Sequence, residues 1–320
     1  MNKSKSQTVP VVLKKLAQLL GTEVQNRRLE IPEAFGKGYC VGFVFNAHIR
    51  MLISNYELNK DLDIENPDID VSKRMIFFKF QNIFPKSEAL QKATLSRAIP
   101  SVLIGTSRVN TDNVISIHSN TATINIEVDA DYLNELFALS EKSPVLQSLL
   151  QNQQPLLFEQ LIYPSLQGIV NDIVTEQVDE AFELFFRRIK AEELVCRLLM
   201  ELEKRGEKHL YPLNARDIEA LYKVKDMMLE RLENPPVIKE LAGCVNMSPS
   251  KLKRLFKQIF GNSIFSYYQD FRIKEAARLL KDEKLSVSDV GYRLGFTNLS
   301  HFSRVFREQM GMKPKQYSRS

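Results

Sequence analysis

Four cationic side chains fall within seven residues in the last quarter of this 320-residue sequence, with no acid among them. The stretch from Lys251 to Lys257 reads Lys-Leu-Lys-Arg-Leu-Phe-Lys. At helical spacing its apolar residues share one face, while Ser250, Lys253, Arg254 and Lys257 share the other. Such a basic face suits the phosphates of DNA and the acceptor atoms that bases present in the major groove. An ordinary solvated helix face gives the same pattern, so one copy does not decide between the two interpretations.

A second copy of the pattern, about fifty residues later, favours the nucleic-acid interpretation. Residues 302–307 repeat residues 252–257 position by position. Upstream, residues 290–297 parallel residues 241–248 with an offset one residue smaller, so the second turn is one residue longer. Each copy predicts a bracing helix, a short turn and a basic helix, which is the helix-turn-helix arrangement that places a helix in the major groove. Two such units are stronger evidence than one.

The ends of the basic helices, and the segment between them, follow known helix signals. Ser248 followed by Pro249 predicts the start of the first basic helix, and Gly261, repeated as Gly311, predicts its end. Residues 263–282 contain no proline or glycine and predict one continuous helix. At about 1.5 Å per residue this helix spans roughly 28 Å. That length is close to the ~34 Å between successive major-groove faces on one side of B-DNA, so the helix is expected to space the two units.

These motifs carry a resemblance to a known family. Residues 215–320 resemble the DNA-binding domain of the AraC family of transcription regulators. The resemblance implies seven helices, two basic helices in adjacent major grooves, control of transcription and RNA polymerase as a partner. The matching motifs are Met247-Ser248-Pro249, Arg254-Leu255-Phe256-Lys257, Phe271-Arg272-Ile273, Ala276-Ala277-Arg278-Leu279-Leu280 and His301-Phe302-Ser303-Arg304-Val305-Phe306-Arg307, with Gly261, Gly295, Gly311, Pro314 and Tyr317.

Two departures from the family pattern bear on function. The second bracing helix has Gly291 where the family usually has alanine, which predicts looser bracing there. Ser250 and Leu299 stand where some members carry base-reading side chains. The base preferences of the family therefore do not transfer to this sequence.

Nine residues on the fronts of the two basic helices are the candidate DNA contacts. Those expected to reach base edges or the groove floor are Ser250, Lys253, Arg254, Ser300, Ser303 and Arg304. Those expected to contact phosphates are Lys257, Asn298 and Arg307. The alternative for Arg254 and Arg304 is an ion pair within the domain, with Asp270 or Glu308. Repetition of the arginine in both units favours DNA contact, because packing alone does not require it.

Charge is distributed unevenly along the chain. Residues 213–320 contain 20 Lys and Arg against 12 Asp and Glu, a net charge of +8, which leaves −3 for residues 1–212 of a total of +5. The basic charge is thus concentrated where the paired motifs lie, as a nucleic-acid footprint requires. The length favours two domains, and 44% hydrophobic and 26% charged residues are ordinary for a globular protein.

Targeting and redox signals indicate a cytoplasmic protein. No run of eighteen apolar residues predicts a membrane span. The polar start, followed by a short apolar segment that Lys14-Lys15 interrupts, does not fit a signal peptide. The three cysteines, Cys40, Cys196 and Cys244, are unclustered and odd in number, which fits free thiols in a reducing compartment.

The first 140 residues alternate apolar and polar residues between turn signals, a pattern typical of short strands. Strands are predicted near residues 38–45, 48–58, 74–81, 101–109, 113–117 and 121–128. Six strands without intervening helices predict a sandwich or small barrel. The family resemblance implies a cupin-like β-barrel that binds a small-molecule effector, and the layout is similar to that of regulators linked to siderophore uptake. Tyr39, Arg50, Phe78 and Lys79 either line the mouth of such a barrel or pack on neighbouring strands.

From residue 131 the apolar period changes to 3.6, which predicts helices at residues 131–138 and 144–151 and two long helices within residues 164–203. The resemblance implies that the long helices form a homodimer contact, and internal packing explains their apolar faces equally well. The predicted fold is α+β, with three parts. They are a β-rich effector barrel at residues 1–140, a helical dimerisation segment and linker at 141–212, and the tandem helix-turn-helix domain at 213–320.

The predicted function is a sequence-specific regulator of transcription, an activator that binds double-stranded DNA as a homodimer and is gated by a small-molecule effector. The alternative is an effector-independent, architectural DNA-binding protein. An enzyme with a DNA-targeting module would need a nucleophile or a metal cluster. The histidines His48 and His118 follow no ligand spacing, so neither catalysis, a cofactor nor a metal is expected.

Overall fold

A computed structural model of the chain describes residues 8–65, 74–84, 100–109, 114–117, 120–137 and 142–319. The chain divides into two compact units, Met1–Leu213 and Asn214–Ser320. The first unit is an antiparallel sheet with helices, and the second is all-α. His118 lies outside the described residues.

The described part of the first unit contains nine strands in two antiparallel sheets. The large sheet has the order β1-β2-β3-β8-β5-β6-β9, and β4 pairs with β7 in a two-stranded sheet. Among the described strands no hydrogen bonds join β1 to β9, so the large sheet is open at these edges. The strands are β1 Arg28–Glu30, β2 Gly36–Val44, β3 Ile49–Leu58, β4 Leu62–Glu65, β5 Met75–Gln81, β6 Ser101–Thr106, β7 Val114–Ile117, β8 Asn120–Asp129 and β9 Leu157–Leu161.

Side-chain alternation builds the main core on one face of the large sheet. In β5 the side chains of Ile76, Phe78 and Phe80 are fully buried, while the residues between them are only partly buried. In the described part of this unit five α-helices accompany the sheet, and those after β8 pack on this core. The helices are α1 Val11–Leu19, α2 Ala130–Leu136, α3 Pro144–Gln151, α4 Pro164–Thr175 and α5 Glu180–Glu203.

Three strands were not expected from the sequence: β1, β4 and β9 have only three to five residues each. Strands this short give little alternation to detect. β9 falls within residues 141–212, which were expected to be helical, and pairs with β6 from Leu157 to Leu161. This pairing ties the chain after α3 back to the sheet. The division of the first unit at residue 140 stays a prediction.

A buried arginine holds the two long helices α4 and α5 together. The guanidinium of Arg187 donates to the main-chain carbonyls of Asp172, Ile173 and Glu176 at 2.6–3.1 Å. These carbonyls lie at the C-terminal end of α4, where main-chain acceptors run out of helical partners, and that of Asp172 also accepts the Glu176 N–H. Burial lowers the pKa of Arg187 below its ordinary value, although the nearby Glu183 and Glu176 act in the opposite direction. The result is a rigid helical hairpin on the core.

The second unit consists, over residues 214–319, of seven helices. They are α6 Ala215–Glu230, α7 Ile238–Cys244, α8 Pro249–Phe260, α9 Ile264–Lys281, α10 Val287–Arg293, α11 Leu299–Met310 and α12 Pro314–Tyr317. The spacer helix expected from residues 263–282 is α9, and Ser263 caps it by accepting the Ser266 N–H at 3.2 Å. A search of the described helices finds none with the length and apolar character that a membrane crossing needs.

Candidate nucleic-acid interface

The first basic helix, α8, forms as its sequence signals predict. The hydroxyl of Ser248 accepts the Lys251 N–H at 3.3 Å, and Pro249 occupies the first helical position. Gly261 ends the helix with φ of 76°, in the left-handed region that glycine tolerates best. The apolar side is buried, and the residues predicted to face DNA are exposed: Ser250, Lys253, Arg254 and Lys257.

The second basic helix, α11, repeats this design with different residues. Asn298 caps it, because its side-chain oxygen accepts the His301 N–H at 3.0 Å. Gly311 ends it with φ of 77°. Phe302 and Phe306 are fully buried. Of the predicted contacts on this helix, Asn298, Ser300, Arg304 and Arg307 are exposed and Ser303 is half-buried.

The turns of the two units share a left-handed residue at matching positions. Asn246 has φ of 52° in the first turn and Gly295 has φ of 73° in the second. A Cβ on Gly295 would lie 2.1 Å from the carbonyl oxygen of Glu233, a backbone atom that cannot move aside cheaply. Gly295 is therefore required twice, by its backbone conformation and by close approach. The sequence predicted the turn, but the approach of Glu233 was visible only in the fold.

The expectation of looser bracing at Gly291 is not what the packing shows. A Cβ on Gly291 would lie 2.5 Å from Leu299 Cδ2 and 3.4 Å from Phe302 Cδ1. The side chain of Leu299 therefore occupies the space that an alanine methyl would take, and it closes the contact between α10 and α11. Leu299 serves packing here, which agrees with its apolar character.

Arg272 anchors the second helix-turn-helix unit to the spacer helix α9, a role that the sequence did not reveal. Its Nε and Nη2 donate to the carbonyl of Leu294, at 3.0 and 2.5 Å, at the end of α10. The guanidinium also lies over the ring of Phe296, 3.8 Å from the centroid. Burial lowers the pKa of Arg272. An arginine between Phe271 and Ile273 in an apolar helix stretch was the available signal.

Tyr268, one turn earlier on α9, binds the segment that follows α6. Its hydroxyl donates to the carbonyl of Leu232 at 2.6 Å, in the segment that follows α6. α9 therefore holds the loop after α6 and the turn of the second unit at once. With 18 residues it spans about 27 Å, close to the spacing that the sequence indicated.

The two basic helices differ in charge. α8 contains Lys251, Lys253, Arg254 and Lys257 and no acid, a net charge of +4. One of these cations, Lys251, pairs with Asp217 of α6 at 2.7 Å. α11 contains two arginines and the acid Glu308, a net charge of +1. The first helix-turn-helix unit therefore presents a more positive surface than the second.

The ion pair weighed as an alternative for Arg304 does form, with Glu308. Arg304 Nη1 lies 3.0 Å from Glu308 Oε1, and both side chains are more than half exposed. Asp270 instead accepts from Gln309 at 2.7 Å and from Asn262 at 3.2 Å. Because the Arg304 pair is open to solvent, it is compatible with contact to DNA.

The comparisons with known proteins agree with this geometry. A family model described as "Helix-turn-helix domain" matches residues 241–320. The regulatory protein PchR of Pseudomonas aeruginosa is 33% identical over 124 residues, which are 38% of this chain and 42% of that protein. The arabinose operon regulatory protein of Escherichia coli is 32% identical over 120 residues, 38% of this chain and 40% of that protein. Residues 241–320 are thus similar to the AraC-type helix-turn-helix domains of bacterial transcription regulators.

The AraC-type likeness covers only part of these proteins. The chain spans less than half the length of the curated relatives that it matches. A solved structure of a transcriptional regulator with an AraC-type DNA-binding domain, from Chromobacterium violaceum, is 30% identical. It covers 33% of this chain and 94% of its own, with a TM-score of 0.31.

In residues 1–213, the four residues considered for a barrel mouth do not all share one surface. Phe78 is fully buried in the main core, and Lys79, the next residue along β5, points to the other face of the sheet. Arg50 donates from Nε to Glu127 of the neighbouring strand at 2.7 Å. Tyr39 lies 3.7 Å beneath the guanidinium of Arg28. Of the two interpretations, packing on neighbouring strands describes Tyr39 and Arg50, and the four residues do not line one mouth because adjacent strand residues alternate between faces.

No group of three or more metal-ligating side chains occurs in the described ranges. His48 stacks on the ring of Tyr132 at 5.0 Å between centroids.

Cys40 is buried beside Ser54, and burial raises the pKa of its thiol to about 12. It is therefore a core residue and not a reactive thiol.

Proposed function

We propose that the chain is a sequence-specific DNA-binding regulator of transcription that inserts α8 and α11 into adjacent major grooves. One observation carries this proposal. Two helix-turn-helix units, joined by one rigid helix, each bury an apolar side and expose a basic side. A basic helix that is buried on one side only has the size and charge that the major groove accepts.

The nine predicted contacts divide by the chemistry of their side chains. Arginine, lysine and serine on the exposed fronts suit base edges, and the remaining cations suit phosphates. Asn298 uses its side-chain oxygen for the helix cap, so its amide N–H groups are what it can offer to a phosphate. The proposed base contacts are Ser250, Lys253, Arg254, Ser300, Ser303 and Arg304, and the proposed phosphate contacts are Lys257, Asn298 and Arg307.

A selection from a pool of randomised duplexes tests the proposal with the full chain. We expect enrichment of a motif with two recognition elements about one helical turn apart. We also expect fluorescence anisotropy to give an affinity that falls steeply with salt. Failure to bind any duplex at low ionic strength would exclude DNA recognition by this chain.

We also propose a homodimer, formed through the outer side of α5. The inner side of this helix is part of the main core, while its outer side exposes Phe182, Phe185, Ile189 and Met200 by 46–67%. Large apolar side chains exposed along one stripe are typical of an interaction site. Two-fold symmetry also suits paired sites on DNA.

Sedimentation equilibrium of Phe185→Glu tests the dimer. We expect this variant to be a monomer at concentrations at which the wild type is a dimer, because a charge would be buried in the contact. The matched control is Gln147→Glu on the exposed side of α3, which should leave the dimer intact. If Phe185→Glu has the same dimer mass as Gln147→Glu, the dimer contact does not involve this side of α5.

The first unit is proposed to be the effector-binding part, with the open sheet as the wall of a cupin-like barrel. Polar side chains gather on the sheet face opposite the main core. There Asn125 donates to Glu127 at 3.0 Å, Glu127 accepts from Arg50, and Lys79 pairs in register with Asn125. Burial lowers the pKa of Lys79. Such a mixture of polar groups next to apolar residues suits a small organic effector.

A thermal-shift screen of the full chain against small metabolites distinguishes an effector-gated regulator from an effector-independent one. A ligand that binds only the folded state raises the unfolding temperature, and above its Kd the stabilisation grows with the logarithm of the ligand concentration. Persistent lack of a stabilising compound favours the effector-independent protein. Transcription in vitro with RNA polymerase and a selected promoter, with and without the ligand, tests the proposed activator role.

A further inference from the structure

An acid stands on the DNA-facing side of the second basic helix and holds one of its cations. Glu308 is the only acid in α8 or α11. Its Oε1 accepts from Arg304 Nη1 at 3.0 Å, one helical turn earlier. The position that repeats 308 in α8 is Gln258, and that side chain is buried. The arrangement therefore exists in one unit only.

Folding does not account for this pair. The side chains of Arg304 and Glu308 are 57% and 54% exposed, and exposed pairs at this spacing contribute little to stability. An acid near the phosphate backbone also opposes binding through repulsion. Glu308 thus weakens general attraction to DNA without a matching gain in the fold, and its effect on Arg304 is what remains to explain it.

The geometry leaves Arg304 able to contact a base. The guanidinium has five N–H groups, and the bond to Glu308 uses one of them. Two of the others are sufficient for the O6 and N7 atoms of guanine. A side chain held before binding loses less conformational freedom on contact. The carboxylate also competes with phosphates for the same guanidinium, which keeps the arginine from a contact that carries no sequence information.

We propose that Glu308 is a positioning residue that directs Arg304 toward a base edge. It raises the sequence selectivity of the second unit and lowers its overall affinity. This inference rests on the proposed function, in which α11 enters a major groove. The first helix-turn-helix unit, with four cations and no acid in α8, supplies most of the attraction to DNA. The two units thus divide affinity and selectivity between them.

The test uses the full chain and a duplex selected by the wild type from a randomised pool. Anisotropy gives affinities for the selected duplex, for each single base-pair substitution of it, and for a scrambled duplex. For Glu308→Ala we expect tighter binding to the scrambled duplex, by about two- to threefold. We also expect a loss of about five- to tenfold in discrimination at one G·C pair. Glu308→Gln keeps a neutral acceptor, so its discrimination should stay within about twofold of the wild type.

Two controls separate positioning from loss of charge. Glu219→Ala removes an exposed acid from α6 and should affect all duplexes alike, with discrimination unchanged. In an Arg304→Ala background, removal of Glu308 should no longer alter discrimination, because its effect acts through that arginine. Equal unfolding midpoints establish that the variants are folded.

The outcomes distinguish the two levels of proposal. If the wild type enriches no sequence from the pool, the proposed function itself fails, whatever Glu308 does. If the wild type enriches a motif and Glu308→Ala keeps the full discrimination of the wild type, positioning by Glu308 is overturned. A change in discrimination that persists in the Arg304→Ala background would also overturn it.

Discussion

The two helix-turn-helix units within residues 214–320 have the same backbone plan and differ in charge and support. Both have a seven-residue bracing helix, a left-handed turn residue and a twelve-residue basic helix that ends at a left-handed glycine. The first presents α8 with a net charge of +4. The second presents α11 with a net charge of +1, and buried Arg272 supports its turn.

Two helix-turn-helix units with the same backbone can therefore have different roles in DNA binding. Charge sets general attraction to DNA and its dependence on salt, whereas rigid placement of a few side chains sets selectivity. The first helix-turn-helix unit thus supplies general attraction to DNA, and the second helix-turn-helix unit supplies selectivity. Variants at matching positions of the two units can therefore strengthen or refute the comparison.

The largest effect is expected at the turns. Gly295→Ala should lower the free energy of unfolding by more than about 3 kcal/mol, because it adds backbone strain and a clash with the carbonyl of Glu233. Asn246→Ala, the matching change in the first unit, should cost only about 1 kcal/mol for the left-handed conformation. Chemical denaturation measures both. Equal losses would show that the second turn has no special support.

The next effect concerns the arginines of the two fronts. Arg304→Ala should lose about 1–3 kcal/mol of binding at the selected site and relax preference at one base pair, if the contact is bidentate. The same duplex series applied to Arg254→Ala tests the matching position in α8. An unchanged footprint and affinity for Arg304→Ala would remove this residue from the base contacts.

Salt dependence gives a third test. Lys257→Ala should weaken binding to all duplexes alike and reduce the slope of log affinity against log salt by about one. The matching variant Arg307→Ala should have the same effect on the slope if it also contacts a phosphate. A preserved slope for either variant would contradict its assignment.

The packing of Leu299 on Gly291 predicts a smaller effect. Gly291→Ala should raise the free energy of unfolding by up to about 1 kcal/mol, because alanine favours a helix and the end of the Leu299 side chain can move aside. In a Leu299→Ala background the gain should be larger, since the close contact is absent. A loss of stability in both backgrounds would show that the α10–α11 contact cannot adjust.

The smallest effect is expected from pH, through an ion bridge of the second unit. Glu283 accepts from Arg278 at 2.8 Å and from Arg293 of α10 at 3.1 Å, and these cations lower its pKa, Arg278 most. A carboxylate with a lowered folded pKa stabilises the fold above its unfolded pKa of about 4.3, and this contribution is lost as pH falls through the lower folded value. Glu283→Gln should therefore narrow the stability difference between pH 6 and about pH 3 in thermal unfolding. An identical pH profile would show that the bridge adds nothing.

Helix signals in the sequence were sufficient for most of the C-terminal domain. The cap at Ser248 and the glycine stops at Gly261 and Gly311 act within one turn of their helices, so local reading predicted these ends correctly. Eight of the nine candidate contacts are exposed and Ser303 is half-buried, since the helical period alone separates most of them from the buried side. Whether they touch DNA stays a prediction.

Local reading failed where partners are distant in the chain. The strands β1, β4 and β9 are too short to show a period, and their existence depends on pairing with other strands. The residues Tyr39, Arg50, Phe78 and Lys79 were considered as one set, and the sheet places Phe78 and Lys79 on opposite faces. Arg272 and Gly295 carried no visible partner in the sequence, because Leu294 and Glu233 approach them only after folding.

The amino-acid sequence by itself determined the tandem helix-turn-helix pattern and the concentration of positive charge in the last third of the chain, because both depend on residue type and short-range spacing. Tertiary structure alone decided that Arg304 is held by Glu308, that Arg272 supports the second turn, and that α5 exposes an apolar side. These features depend on which groups come close in space. Packing of the folded chain sets the rotamers of the Arg304–Glu308 pair and brings distant residues into contact. Local helix or strand propensity determines neither.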